Sequence, residues 1–235
     1  MTKILISQKP PMNMTPYHPL KEKYGAEVEF RPFFRIEPLP SRDFRMQKIN
    51  LPDYTAVVFS SRHAIDAYFR LSEDLRFKVP ETMKYFCTTE AVAMYLQKHI
   101  VYRKRKIFFG NGTPESILDL INAKHAGENF LITSAEASNS EPITSLFDKK
   151  GLKYRSAALI RSVSTDIKDI NFDDYAAVVV YNAADVKSIY ENFPEFTQGD
   201  IKFITYGKSI VKAMKDAGLE ISGQAPSPEA PNAAK

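Results

Sequence analysis

Short, continuous runs of apolar residues alternate along this chain with stretches of helical periodicity that begin at Ser, Thr or Asn. Apolar runs of this kind are typical of buried parallel strands, and a capped amphipathic stretch is typical of a helix that covers them. The predicted strands are residues 3–7, 26–30, 54–59, 83–86, 107–109, 130–133, 175–180 and 203–205. The predicted helices are residues 64–69, 90–97, 114–121, 142–150, 183–193 and 208–217, with a shorter helix that ends at Gly25. This alternation predicts an α/β protein built on parallel sheets.

Two extended stretches do not fit this alternation. Residues 31–40 contain Pro32, Pro38 and Pro40, and proline removes the backbone donors that a central strand needs. We interpret this stretch as a linker, and we interpret residues 157–164 as its counterpart. The tail that follows Gly223 is rich in proline and is predicted to be loose.

The chain carries an internal repeat. Residues 54–65 (YTAVVFSSRHAI) return 121 positions later as residues 175–186 (YAAVVVYNAADV). Residues 91–94 return 120 positions later, and residues 3–7 return 126 positions later. Each copied segment belongs to a strand, a short polar turn or a helix, so the repeat predicts two similar α/β units. If the helix N-termini of both units face one cleft, that cleft suits a ligand with many anionic groups.

Composition narrows the class of protein. The net charge of +4 is mild and does not by itself indicate a nucleic-acid partner. Cys87 is the only cysteine, so the chain can form neither an intrachain disulfide nor a cysteine-based zinc site, and we predict that Cys87 is buried. The four histidines show no ligand spacing, and we expect no metal and no cofactor. No segment approaches the roughly 20 apolar residues of a membrane span, and the N-terminal apolar run is too short for a signal peptide. We therefore expect a cytoplasmic monomer that binds neither nucleic acid nor membrane.

Two glycine-containing segments resemble phosphate-binding motifs, and both are rejected. Residues 207–209 (GKS) match the end of a P-loop, but Lys202 stands where that motif requires its first glycine. Residues 110–112 (GNG) lack the third glycine of a dinucleotide fingerprint, because Glu115 stands in its place.

Polar side chains follow most of the predicted strands, at the end where parallel α/β sheets bind ligands. They are Ser7, Ser60, Ser61, Thr88, Ser134, Asn182, Tyr206, Lys208 and Ser209. Any one of these residues has a purely structural explanation as a helix cap. Several such caps in duplicated units would form an array of hydroxyl and backbone N–H donors for carboxylates or phosphates.

Five segments, taken in order, resemble the uroporphyrinogen-III synthase family. They are residues 57–65 (VVFSSRHAI), 178–186 (VVVYNAADV), 203–214 (FITYGKSIVKAM), 217–219 (AGL) and 225–229 (APSPE). Each segment alone is weakly specific, but their order and spacing extend over nearly the whole chain.

The resemblance implies two α/β domains, one inserted into the other and joined by a two-segment extended linker. Residues 1–35 with 162–235 would form the first domain, and residues 40–158 would form the inserted domain. The linkers would lie near residues 31–40 and 156–164.

The resemblance also implies a reaction of heme and tetrapyrrole biosynthesis. A lyase of this family cyclises the linear tetrapyrrole hydroxymethylbilane, inverts its ring D and releases water without a cofactor or metal. The substrate carries eight carboxylates, which matches an array of donors. It also closes spontaneously without inversion, so the enzyme must hold a conformation that favours the inverted product.

The candidate site residues follow from this comparison. The expected substrate-binding residues are Ser60, Ser61, Arg62, Ser134, Asn182, Ala183, Lys208 and Ser209. The family's Tyr that is thought to assist departure of the hydroxyl group is replaced here by Ile160. Tyr206 is the expected catalytic residue in its place, and Tyr181 is the alternative.

Three positions depart from the family pattern. Ile210, Ile160 and Glu90 stand where the family has Thr, Tyr and Thr, respectively. These changes keep a second hypothesis open, that of a non-catalytic protein that binds a tetrapyrrole or another polyanion on the same scaffold. A third hypothesis is a regulatory domain that acts through a protein partner.

Overall fold

A computed structural model of the chain describes residues 2–121, 124–136, 141–206 and 209–225. The strands are β1 (Thr2–Ile6), β2 (Ala26–Phe30), β3 (Phe34–Pro38), β4 (Ala56–Phe59), β5 (Lys84–Cys87), β6 (Ile107–Phe109), β7 (Asn129–Ala135), β8 (Lys153–Ser164), β9 (Ala177–Val180), β10 (Lys202–Tyr206) and β11 (Ile221–Ala225). The helices are α1 (His18–Tyr24), α2 (Ser41–Met46), α3 (Arg62–Asp74), α4 (Glu90–Tyr95), α5 (Pro114–Leu120), α6 (Glu141–Lys149), α7 (Ala183–Asn192) and α8 (Ser209–Asp216). The predicted α/β class with parallel sheets is confirmed.

The chain divides into two compact units. Unit 1 contains Met1–Arg35 and Val163–Lys235, and unit 2 contains Ile36–Ser162. The chain passes from unit 1 to unit 2 within β3 and returns within β8.

Each unit is built on its own sheet. The sheet of unit 1 has the order β11-β10-β9-β1-β2, and all four of its strand pairs are parallel. The sheet of unit 2 has the order β3-β8-β7-β4-β5-β6, and its strands from β8 to β6 pair in parallel. Apart from the added edge strand β3, the two orders are equivalent when β4, β5 and β6 are matched with β9, β10 and β11.

The repeat in the sequence corresponds to a repeat in strand register. Ile4 pairs with Ala177 in unit 1, and Phe130 pairs with Ala56 in unit 2. These pairs are related by the sequence offsets of 126 and 121 positions. Strands β4 and β9 begin 121 positions apart, as do the helices that follow them, so the duplicated sequence specifies the same local structure twice.

The apolar runs fill the cores as their pattern predicts. Every residue of β4 and of β9 is buried, as expected for central strands with helices on both faces. Cys87 is fully buried at the end of β5, and burial raises the pKa of its thiol to about 12. The prediction that Cys87 is buried is therefore confirmed.

Both segments that the sequence analysis interpreted as linkers form strands. Residues 34–38 form β3 at the edge of the sheet, where Pro38 ends the strand and does not interrupt a ladder between two neighbours. Residues 157–164 are the last eight residues of the 12-residue strand β8, which pairs with β7 as far as Ile160. The tail that was predicted to be loose includes the last residues of β11, and residues 226–235 lie outside the described part of the chain.

Candidate functional site

The candidate residues lie at the carboxyl edges of the two sheets, on either side of a topological switch point. In unit 1 the switch point lies between the neighbouring strands β1 and β9, because the chain leaves β1 towards β2 on one side and leaves β9 towards β10 on the other. In unit 2 the switch point lies between β7 and β4, because β7 is followed by β8 on one side and β4 by β5 on the other. A crevice forms where successive connections diverge in this way, and α/β proteins bind ligands there.

In unit 2 the edge is formed by the start of α3 and the end of β7. Ser61 caps α3, since its Oγ accepts a hydrogen bond from the Ala64 amide at 3.2 Å. Ser60 is exposed directly before it, and the guanidinium of the exposed Arg62 lies 5.4 Å from the centre of the Tyr95 ring. Helix geometry leaves the first amides of α3 without partners inside the helix, so those that Ser61 does not cap can donate to an anion.

Ser134 lies on the neighbouring strand, one residue before the end of β7. Its Oγ donates to the Ala157 carbonyl oxygen at 3.3 Å. Within unit 2 the structure therefore brings four predicted residues to the ends of adjacent strands. They are Ser60, Ser61, Arg62 and Ser134.

In unit 1 the start of α7 is also capped by a polar side chain, and here the cap includes a second side chain that bonds back to the backbone. Asn182 accepts a hydrogen bond from the Ala184 amide at 2.9 Å, and the Asp185 carboxylate accepts from the Tyr181 and Asn182 amides at 2.9 and 3.1 Å. This reciprocal capping box fixes the turn between β9 and α7. Ala183 is exposed as the first residue of the helix, so its backbone lies at the edge of the site.

The carboxylate that closes this box is fully buried. Burial raises the pKa of Asp185 to about 6, although the two amide hydrogen bonds and the proximity of the Ser7 hydroxyl oppose this shift. Among the described residues, neither Asp185 Oδ1 nor Ser7 Oγ has a hydrogen-bond partner with good geometry. Because Ser7 follows β1 and Asp185 follows β9, this polar pair lies at the switch point of unit 1.

Three tyrosines gather at the same edge. The rings of Tyr181 and Tyr206 are 5.2 Å apart, centre to centre, and each is half-buried. Burial raises the pKa of Tyr181 to about 12, with further contributions from Tyr17, Tyr206 and Asp185. Burial and the neighbouring Tyr206 also raise the pKa of Tyr17. The phenols of Tyr17 and Tyr181 therefore stay protonated at neutral pH and can donate hydrogen bonds.

Two predicted residues fall wholly or partly outside the described part of the chain. Lys208 lies outside it, and Ser209 is described only as the first residue of α8, without its side chain. Tyr206 ends β10, the neighbour of β9, so Tyr206, Asn182 and Ala183 lie at the ends of adjacent strands of unit 1.

The three departures from the family pattern have different environments. Ile210 is fully buried in the core of unit 1, and Ile160 is 6% exposed in the core of unit 2. Glu90 is exposed in the first turn of α4, directly after the capping Thr89. Ile210 and Ile160 therefore contribute apolar packing where the family pattern has a hydroxyl group.

Two features of the edge of unit 1 were not predicted from the sequence. Asn182 and Asp185 have the spacing of a capping box, which could have been recognised. Tyr17 belongs to a proline-rich connection whose path could not be read from the hydrophobic pattern, so its place beside Tyr206 required the structure.

No group of His, Cys, Asp and Glu residues that could hold a metal ion occurs in residues 2–121, 124–136, 141–206 or 209–225. No helix within those ranges has the length and apolar character needed to cross a membrane.

The fold and these edges define a class: a protein of two parallel α/β units, each of which presents capped helix N-termini and hydroxyl side chains at a switch point. Within this class, the sequence profile of uroporphyrinogen-III synthase HemD matches residues 16–234. The chain belongs to the uroporphyrinogen-III synthase family.

Solved structures of two bacterial synthases share the fold. The uroporphyrinogen-III synthetase of Helicobacter pylori is 15% identical, with a TM-score of 0.58 over 98% of this chain and 96% of its own. A mutant synthase from Thermus thermophilus is 12% identical, with a TM-score of 0.56 over 97% of this chain and 94% of its own. No curated protein is significantly similar to the chain in sequence.

Proposed function

We propose that this protein is a uroporphyrinogen-III synthase, which cyclises hydroxymethylbilane with inversion of ring D and loss of water. The family membership carries the proposal, because the matching profile extends over nearly the whole chain. The two edges described above support it, since each unit supplies hydroxyl groups and helix N-termini suited to a substrate with many carboxylates.

The proposed roles follow the chemistry of the side chains. Ser60, Ser61, Arg62 and Ser134 would bind carboxylate groups at the edge of unit 2, and Asn182, Ala183, Lys208 and Ser209 would do so in unit 1. These contacts would restrain the flexible substrate in a geometry that brings ring D to its point of attack, which is catalysis by orientation.

Loss of the hydroxyl group requires a proton donor or a hydrogen bond to the leaving oxygen. Tyr206 is the proposed donor, and Tyr181 lies beside it with its ring centre 5.2 Å away. A protonated phenol donates a hydrogen bond without a metal or cofactor, and such assistance contributes typically about 10²-fold or more to a rate.

One chain carries both units, and we propose that it acts as a monomer in the cytoplasm, without nucleic acid or a membrane. No further subunit is needed to supply the residues named here.

The decisive experiment measures which isomer forms. Freshly prepared hydroxymethylbilane is mixed with the protein, the products are oxidised to porphyrins, and types I and III are separated by chromatography. An excess of type III is expected, because spontaneous closure yields type I. Production of type I alone, at the rate of a sample without protein, would exclude the synthase.

The core positions of Ile210 and Ile160 favour a second candidate function, that of a non-catalytic tetrapyrrole-binding protein. Both residues stand where the family pattern has a hydroxyl group, and both are buried in apolar surroundings. This candidate predicts saturable binding of a tetrapyrrole, measured by fluorescence or calorimetry, together with type I product only.

A further inference from the structure

A pocket of about 200 Å³ lies within unit 2, between α3 and the strands β3 and β8. Its apolar lining consists of Ile36, Pro38, Ala67 and Ile160. The remaining lining comes from the polar face of α3, where His63, Asp66 and Arg70 follow one another at spacings of three and four residues. The pocket therefore combines an apolar surface with charged and polar groups on one side.

The carboxylate on this face is already engaged. Asp66 Oδ1 lies 2.8 Å from His99 Nε2, and Asp66 Oδ2 accepts a hydrogen bond from the Tyr95 hydroxyl at 2.8 Å. Burial raises the pKa of Asp66, but the hydrogen bonds from His99 and Tyr95 outweigh it and hold the pKa below its ordinary value. These two hydrogen bonds engage both carboxylate oxygens of Asp66 and stabilise its ionised form.

The two basic residues on this face, unlike Asp66, have donors that remain available to a ligand. His63 and Arg70 are exposed, and within the described part of the chain neither side chain makes a hydrogen bond or an ion pair. An imidazole and a guanidinium both donate hydrogen bonds to carboxylates, and the guanidinium can bind both oxygens at once. The helix places these two donors two turns apart, on one side of the apolar lining.

We propose that this pocket binds one carboxylate-bearing pyrrole ring of the substrate, with the ring against the apolar lining and its acidic side chains on His63 and Arg70. The inference rests on the proposed function and adds a specificity site to it. A ring with acidic side chains matches both the apolar lining and the two free donors, whereas a purely apolar ligand would leave the donors unpaired. His63 and Arg70 are assigned as binding residues that hold one ring.

The kinetic experiment compares His63→Gln, Arg70→Gln and the double variant with the unchanged protein. Each single variant is expected to raise the KM for hydroxymethylbilane about tenfold, as expected for the loss of one charge-assisted hydrogen bond. Arg70→Lys should recover part of the loss, because it keeps the charge but not the bidentate geometry. Arg42→Gln is the matched control, since Arg42 is exposed on α2 in the same unit and makes no ion pair with another described residue.

A direct binding measurement separates this inference from the proposed function. The protein with both units is titrated with a monopyrrole that carries one acetate and one propionate side chain, and binding is followed by NMR or calorimetry. We expect saturable binding that Arg70→Gln weakens about tenfold and Arg42→Gln leaves unchanged.

The outcomes are distinct. If the unchanged protein forms type III product but both Gln variants keep its KM within twofold, the pocket is not a substrate subsite and the synthase proposal stands. If no type III product forms but the monopyrrole binds in an Arg70-dependent manner, the pocket assignment stands and the synthase proposal fails. If no type III product forms and the monopyrrole shows no Arg70-dependent binding, the pocket assignment is overturned together with the synthase proposal.

Discussion

Asp185 combines full burial with an ionisable carboxyl group at the start of α7. Its Oδ2 accepts two backbone hydrogen bonds, while its Oδ1 has no partner with good geometry among the described residues. Burial accordingly raises the pKa of this group from 3.8 to about 6. A group whose pKa is higher in the folded state than in the unfolded state binds a proton more tightly when folded.

This shift predicts the pH dependence of stability. Between the unfolded value of 3.8 and the folded value of about 6, the folded protein holds more protons than the unfolded chain. The contribution of Asp185 to the free energy of unfolding therefore falls as the pH rises through this window, and it is constant above it. Asp185→Asn should abolish this part of the slope, as measured by urea unfolding at pH 4, 5, 6 and 7.

The control for this experiment is Asp74→Asn, which changes an exposed carboxylate at the end of α3. That variant should retain the slope of the unchanged protein. An identical pH dependence in Asp185→Asn and the unchanged protein would contradict the inferred proton uptake at Asp185.

The pair of tyrosines at the edge of unit 1, Tyr181 and Tyr206, leads to a prediction about catalysis by single residues. The double variant Tyr181→Phe, Tyr206→Phe keeps both rings but removes both hydroxyl groups. If a phenol assists departure of the substrate hydroxyl, the kcat for type III formation should fall about 10²-fold. Tyr24→Phe is the control, because Tyr24 is 73% exposed on α1 and has no proposed role. Near-normal turnover in the double variant would eliminate this role for both residues.

At the scale of single elements, the capping residues act on stability as well as on the site. The Ser61 hydroxyl satisfies the Ala64 amide at the start of α3, whereas Ser60 has no such bond to the helix. Ser61→Ala should therefore lower the free energy of unfolding by about 1 kcal/mol. Ser60→Ala should change it by less than about 0.5 kcal/mol, since Ser60 is exposed. Urea unfolding at pH 7 measures both values, and equal losses would show that Ser61 does not act as a cap.

Most elements could be predicted because local signals determine them. The apolar runs of β4 and β9 and the caps before α3 and α7 are readable from neighbouring residues alone. Strand β3 was missed because its prolines argue against a central strand, whereas its place at the edge depends on pairing with β8, which is distant in sequence.

The positions of the candidate site residues were predictable in the same way, from local signals. The repeat and the strand ends place Ser61 and Asn182 at equivalent positions, because a parallel α/β unit always brings its strand ends to one edge. The neighbours of these residues were not predictable. The approach of Tyr17 to Tyr206 depends on the path of a connection that carries no periodic signal. The approach of Ser7 to Asp185 depends on the pairing of β1 with β9, two strands that are distant in sequence.

At the scale of the whole molecule, the two units differ in how the chain builds them. Unit 2 is one continuous segment, whereas unit 1 is assembled from two segments that are distant in sequence. Unit 2 contains two apolar core clusters, which together include residues from most of its strands and helices. A domain with its own core and a continuous chain is able to fold alone.

This difference predicts that residues 34–164, which include β3 and β8 in full, form an independently folding fragment. Phe130 is fully buried in it, with its ring centre 5.2 Å from that of Phe147 and 5.5 Å from that of Phe86. The fragment should unfold in one cooperative urea transition, followed by circular dichroism. Phe130→Ala should destabilise it by about 3–5 kcal/mol, as expected for an aromatic residue removed from a packed core. A gradual, non-cooperative transition, or one that Phe130→Ala does not shift, would mean that unit 2 needs the remainder of the chain to fold.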